Sequence, residues 1–231
     1  MDFRDHHVIV TGGTGALGHA VVGALVEAGA VCHVPYVVAA EAERFALRGH
    51  ARVKLVSMAN LADEADVARL YDGVGALWAS IHLVGGFAMA QVAQTTKADL
   101  MKQVEMNLVT SFLCSRAAVN TMGNRGGRIV NVAARPALEP RSGAGMVAYT
   151  ASKAAVAAFT IALAEEVAKL GILVNAVAPS IMDTAANRAA MPNADYAAWP
   201  KVEEVAASIL FLASPQNAVT RGAIVPVYGR S

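Results

Sequence analysis

Short, unbroken apolar runs alternate along the chain with longer stretches in which apolar residues recur at helical spacing. Val8-Ile9-Val10 is such a run, and continuous apolarity marks a strand buried on both faces. Residues 16–28 then carry helical periodicity and stop at Gly29, a natural helix C-terminus. The same reading predicts strands at 30–34, 53–57, 76–84, 128–132, 172–177 and 223–228. It predicts helices at 62–72, 97–122, 149–169 and 202–213. Buried strands alternating with helices imply an α/β fold, a parallel sheet of about seven strands with helices on both faces. No repeat, low-complexity segment or linker divides the chain, so residues 1–231 are expected to form one domain. Residues 183–200 are the least regular stretch, carrying Pro192 and Pro200, and are expected to form a lid beside a substrate.

Composition narrows the function. With 55% hydrophobic and 16% charged residues, the chain packs a core rather than staying disordered. A net charge of +1 offers no surface for nucleic acid. The longest apolar runs, such as 154-AAVAAFTIALA-164, fall short of the ~20 residues that span a bilayer. They read as buried helix faces, and no membrane is expected. The N-terminal MDFRDHH lacks the apolar core of a signal peptide, so a cytoplasmic setting is expected. Cys32 and Cys114 lie far apart in apolar surroundings and read as reduced core thiols. His6 and His7 directly precede a strand and read as structural; no metal site is expected.

The turn after the first strand is 11-TGGTGALG-18. Gly13-x-Gly15-x-x-Gly18, set between a strand and a helix, is the fingerprint of a dinucleotide site. Glycines permit a sharp turn and close approach of a pyrophosphate, and the helix N-terminus offers unpaired N–H groups and a positive dipole end. Thr11, Gly12, Gly13, Gly15, Ala16, Leu17 and Gly18 are therefore candidate coenzyme contacts in a Rossmann-like, doubly wound domain. A carboxylate at the end of the second strand would read the adenosine ribose of NAD. Pro35 stands about there instead, and the next acid is Glu41. His33 and Arg44 are the nearby candidates for attracting a 2′-phosphate. The choice between NAD and NADP stays open.

Tyr149 and Lys153 share one helix face. A phenol is a poor acid–base group at neutral pH, and a nearby ammonium is expected to lower its pKa. Together with the glycine turn, this pair resembles the short-chain dehydrogenase/reductase family over essentially the whole chain. The other matching pieces are Asn107 in 104-VEMNLVTSF-112, 128-RIVNV-132 and 175-NAVAPSIMDT-184, with Asn60-Leu61 at the adenine-contacting position. The resemblance implies hydride transfer between a nicotinamide and a small-molecule substrate. Tyr149 would be the acid/base, Lys153 its modulator and a ribose ligand, and Asn107 the anchor of a water-linked proton relay. Gly85, Pro179 and Thr184 would border the coenzyme, and Ala134, Met182 and Trp199 the substrate.

Two departures from the family pattern stand out. Asn-Asn-Ala-Gly after the fourth strand is here 83-LVGG-86, and the usual serine is here Ala134. Losing one donor to a developing oxyanion costs roughly 3–4 kcal/mol. The dihydropteridine reductase branch is similar in both respects. Ala137-Leu138-Glu139, Gly145-Met146-Val147-x-Tyr149 and 183-DTAANRAAMPNADYAAWP-200 also resemble that branch. Asn107 and the missing second-strand acid do not. A conjugated C=N substrate would explain Ala134, because its reduction need not build a full alkoxide. Ser142, seven residues before Tyr149, is either a substitute donor or a surface-loop serine. A non-catalytic dinucleotide sensor and a pure assembly protein are the alternatives, and retention of Tyr149, Lys153 and Asn107 together speaks against the sensor. The apolar circumference of helix 149–169 must be buried within the fold or between copies; the resemblance implies a homodimer or homotetramer through it and helix 97–122.

Overall fold

The structure, a computed structural model, describes residues 1–231. The first half contains β1 (His7–Thr11), α1 (Ala16–Glu27), β2 (Val31–Tyr36), α2 (Ala39–Arg44), β3 (Val53–Ser57), α3 (Glu64–Asp72) and β4 (Leu77–His82). The second contains α4 (Lys97–Val104), α5 (Thr110–Met122), β5 (Gly127–Val132), α6 (Arg135–Leu138), α7 (Val147–Glu166), β6 (Ile172–Pro179), α8 (Ala185–Ala190), α9 (Val202–Ala213) and β7 (Ile224–Val227). The seven strands form one sheet in the order β3-β2-β1-β4-β5-β6-β7, and every neighbouring pair is parallel. The strand order reverses between β1 and β4, the switch point where such sheets open a crevice at their carboxyl ends.

Alternation along the strands sorts the two cores. Val8 and Val10 face one side, with Val21 and Leu25 of α1 and Val205 and Ile209 of α9. Ile9 faces the other, with Leu70 and Tyr71 of α3, Leu113 and Met122 of α5, and Ile129 of β5. Period two within each strand therefore builds both layers from a continuous apolar run. Cys32 and Cys114 are buried free thiols, one in each layer.

The predicted helix 97–122 is one rod interrupted by a π-helical turn at Glu105–Val109. Such single π turns recur at functional sites. The short helices α2, α6 and α8 escape the periodicity reading because each is less than two turns long. Expected strand 30–34 runs two residues further, to Tyr36, because its pairing with β3 continues through Tyr36 opposite Ser57. By length and composition α7 could cross a membrane, yet it packs against α4, α6 and β6 with a third of it buried.

Beneath β4 and β5 lies a polar chain with almost no access to solvent. Tyr71 Oη and Ser80 Oγ are 2.6 Å apart, and Ser80 Oγ lies 2.8 Å from His82 Nε2. His82 Nδ1 is 2.8 Å from Asn131 Oδ1, which fixes Nδ1 as the protonated nitrogen. Asn131 Nδ2 donates to Thr160 Oγ1 at 3.0 Å. Two helical turns separate Thr160 from Lys153, so the chain of bonds pins α7 against the sheet where the candidate site begins.

Candidate active site

The glycine turn is shaped by contacts that leave no room for side chains. Gly12 has φ +68°, and a Cβ there would lie 2.9 Å from the backbone nitrogen of Val84. A Cβ on Gly18 would overlap the Gly12 carbonyl oxygen. Gly15 is the N-cap of α1 and makes no side-chain cap, which leaves the first N–H groups of that helix for a ligand. Thr11 is buried, its carbonyl accepting from Leu83 N–H at 3.0 Å. Ala16 is exposed at the helix start, whereas the Leu17 side chain belongs to the core.

Above the turn lies a cleft of about 700 Å³. It is lined by Gly12, Thr14 and Gly15, by Pro35 to Val38 and Glu41, by Asn60 to Ala62, by Leu83 to Gly85, and by Lys102, Glu105, Met106 and Thr110. The Asn60 side chain accepts from Ala62 N–H at 2.9 Å, which turns the chain after β3 toward this cleft. His33 does not reach it. It is buried, its Nε2 lies 2.9 Å from His7 Nδ1, and it sits three residues before the end of β2. Arg44, exposed on α2, is also outside the lining.

Asn107 sits on the π turn and is fully buried. Its Oδ1 accepts from Gly86 N–H at 2.9 Å, and its Nδ2 donates to Gly86 O at 3.1 Å and Ser152 Oγ at 3.0 Å. Its own carbonyl accepts from Ser111 Oγ at 2.8 Å. One amide thus holds both main-chain groups of Gly86 and ties them to α7. Sequence reading assigned Asn107 a water relay; the side chain's clamp on Gly86 was not legible. Gly85 meets the same groups: a Cβ there would be 2.7 Å from Asn107 Oδ1 and 3.1 Å from Lys153 Nζ. An added methyl would press on both of these side chains.

Lys153 is buried, and its Nζ donates to Val132 O at 2.8 Å. Burial pushes its pKa down to about 8. Burial likewise pushes the Tyr149 phenol up to about 12. Desolvation alone raises the phenol, and the Lys153 ammonium is turned toward the Val132 carbonyl. Phe87 packs edge-on against the Tyr149 ring, with ring centroids 5.0 Å apart and planes at 80°. Phe87 is itself 64% exposed, so its outer face is open to solvent beside Tyr149. Sequence reasoning missed Phe87 because its only signal is that it follows the clamped Gly86.

The remaining candidates fall into place unevenly. Ala134 is buried at the end of β5, as the N-cap of α6. Ser142 is exposed and donates to Glu139 O at 2.8 Å, so its hydroxyl serves its own surface turn. Pro179 ends β6. Thr184 caps α8 by accepting from Asn187 N–H at 3.2 Å. Met182 packs against the core, and its carbonyl takes Asn187 Nδ2 at 2.8 Å. Trp199 is buried against Tyr196.

The 183–200 segment is not a loose lid. Asp183 N–H donates to Pro200 O at 2.9 Å, closing its neck. Arg188 bonds both oxygens of Asp183, at 2.6 and 2.8 Å, and lies 4.8 Å over the Tyr196 ring. The Tyr196 hydroxyl donates to Met191 O at 3.1 Å.

A glycine cradle, a cleft at the switch point, and Lys153 behind the lining residue Gly85, with Tyr149 one helical turn earlier, fit a bound nicotinamide dinucleotide. Comparison with known proteins agrees. The family described as short chain dehydrogenase matches residues 6–195. Galactitol 2-dehydrogenase of Rhizobium johnstonii is 35% identical, over 95% of this chain and 92% of its own. The cis-4-hydroxycyclohexanecarboxylate dehydrogenase of Sinomonas cyclohexanicum is 33% identical, over 98% and 96%. The crystal structure of the protein gox2181 superposes with a TM-score of 0.89 at 29% identity, covering 99% of this chain and 96% of that one. These likenesses show the family and leave the branch within it unassigned. They agree with the site on the broader assignment: this chain belongs to the short-chain dehydrogenase/reductase family and is an NAD(P)-dependent oxidoreductase.

Proposed function

We propose that the chain reduces a small carbonyl or conjugated C=N substrate, with a preference for flat, conjugated molecules such as a dihydropteridine. The observation that carries this reading is the contact of Tyr149 with Phe87, whose exposed ring offers an aromatic wall, together with a buried Ala134 at the position where the family pattern has a second donor. When bound, the nicotinamide supplies hydride to the electrophilic carbon. Tyr149 gives its proton to the neighbouring heteroatom. The buried Lys153 cation stabilises the phenolate left behind. Asn107 holds Gly86, and so Phe87, in place during the transfer. With one donor instead of two, a substrate that spreads its developing charge by conjugation loses less than a simple ketone does.

The test is oxidation of NADH and of NADPH with quinonoid dihydropterin and with a panel of ketones and quinones. Tyr149→Phe should lower turnover by about 10²–10⁴-fold while leaving coenzyme affinity unchanged. Ala134→Ser should leave C=N reduction within about twofold and raise any ketone reduction. Turnover of simple ketones alone, unimproved by Ala134→Ser, would sink the preference. Coenzyme binding without turnover of anything would favour a sensor.

We further propose that the protein works as a homodimer or homotetramer. Phe112 of α5 and Phe159 of α7 pair with centroids 5.6 Å apart, and Phe112 and Ile161 stay largely exposed. A second copy laid along these two helices would cover them. Sedimentation of the protein beside Ile161→Glu tests this; an unchanged mass would rule the face out.

A further inference from the structure

The adenosine end of the cleft holds a carboxylate that the strand pattern does not supply. β2 ends at Tyr36, whose carbonyl accepts from Met58 N–H at 2.9 Å. Beyond it come Val37 and Val38, about half exposed. Neither side chain can hydrogen-bond a sugar hydroxyl. α2 then starts, with Glu41 in its first turn. The Glu41 side chain reaches back across the cleft, and its Oε2 accepts from the Thr14 hydroxyl at 3.1 Å. Thr14 belongs to the glycine turn, so the bond joins the phosphate-binding turn to the residue after the second strand. Both residues line the cleft with Pro35, Tyr36 and Val37.

The charges facing this space are few. Glu41 and Glu105 are acidic, and Lys102 is the one cation in the lining. Lys102 enters from α4, a different element, with Glu105 one turn further on. The glycine turn, 11-TGGTGALG-18, carries no cation at all. A carboxylate accepts from two vicinal ribose hydroxyls. A 2′-phosphate has no such protons to give and adds close to two negative charges.

We propose that Glu41, held in the cleft by Thr14, reads the adenosine ribose hydroxyls and makes the protein select NADH over NADPH. The inference rests on the nicotinamide-dependent reading above and names the residue that sets its coenzyme. Recognition here would come from the first turn of α2, several residues beyond the strand end.

The test is equilibrium binding, followed by the fluorescence of the reduced nicotinamide, with NADH and with NADPH in separate titrations. The wild-type protein should bind NADH about tenfold or more tightly than NADPH. Glu41→Gln should weaken NADH and tighten NADPH, closing the gap to about threefold or less. Thr14→Val should close it part of the way. Circular dichroism checks that each variant folds; because Glu41 is exposed on a surface helix, both are expected to. Equal affinities in the wild type, or a gap that Glu41→Gln leaves untouched, would overturn the assignment to Glu41 alone. A wild-type preference for NADPH that Lys102→Ala abolishes would transfer the recognition to Lys102. Failure of both dinucleotides to bind would overturn the coenzyme reading and this inference with it.

Discussion

The two halves of the cleft are built by different means. On the β1–β3 side the shape comes from backbone against backbone: Gly12 against Val84 and Gly18 against Gly12. On the β4–β6 side it comes from side chains that hold one another and the main chain: Asn107 on Gly86, Lys153 on Val132, and the Tyr71–Ser80–His82–Asn131–Thr160 chain beneath. The first half is sensitive to added volume. The second is sensitive to protonation and to the identity of single polar groups.

The largest expected contrast comes from Gly18→Ala. The added methyl overlaps the Gly12 carbonyl, and backbone cannot swing aside as a flexible side chain can. A destabilisation of about 3 kcal/mol or more is expected, with loss of coenzyme binding. Thermal unfolding and a coenzyme titration measure it; a fully stable, binding variant would show that this half is less tightly built than described.

Acid should act on the other half. Burial lowers the His82 pKa from 6.5 to about 4. The native state therefore holds His82 neutral while the unfolded chain binds a proton. That contribution is complete above pH ~6.5 and is lost as pH falls toward ~4, up to about 3 kcal/mol in all. His33, also lowered to about 4 by burial, acts in the same direction. Denaturant unfolding between pH 7.5 and 4 should show a shallower decline in His82→Gln than in the wild type. Parallel curves would mean that His82 is not the group responsible.

The smallest effect is predicted at Phe87, which touches Tyr149 but remains exposed. Phe87→Leu should leave stability within about 0.5 kcal/mol. It should raise KM for flat aromatic substrates several-fold more than for aliphatic ones, since a stacked pair contributes about 1 kcal/mol. Equal changes for both substrate types would remove Phe87 from the substrate wall.

The same division explains what could be read from the chain. The glycine turn and the Tyr149–Lys153 pair are legible because their chemistry depends on spacing within one turn or one helix. The sheet is legible because its apolar runs are unbroken. The end of β2 is not, since pairing with β3 decides it, and so the strand stops at Val34 on paper and at Tyr36 in the fold. Phe87, the Asn107 clamp and the Thr14–Glu41 bond each join segments distant in sequence, and no local pattern signals them. The burial of Tyr149 belongs to the same class: a neighbouring lysine can be read from spacing, but the loss of water around the phenol cannot.

The braced 183–200 segment has a thermodynamic consequence. A loose loop that orders over a substrate gives up roughly 1–2 kcal/mol of backbone entropy per residue at that moment. Here Arg188, Tyr196, Thr184 and Asn187 already fix the interior of the segment. Most of that entropy is lost when the chain folds, so little remains to be lost when a ligand arrives. The bond between Asp183 and Pro200 closes the neck, so the segment meets a ligand already shaped.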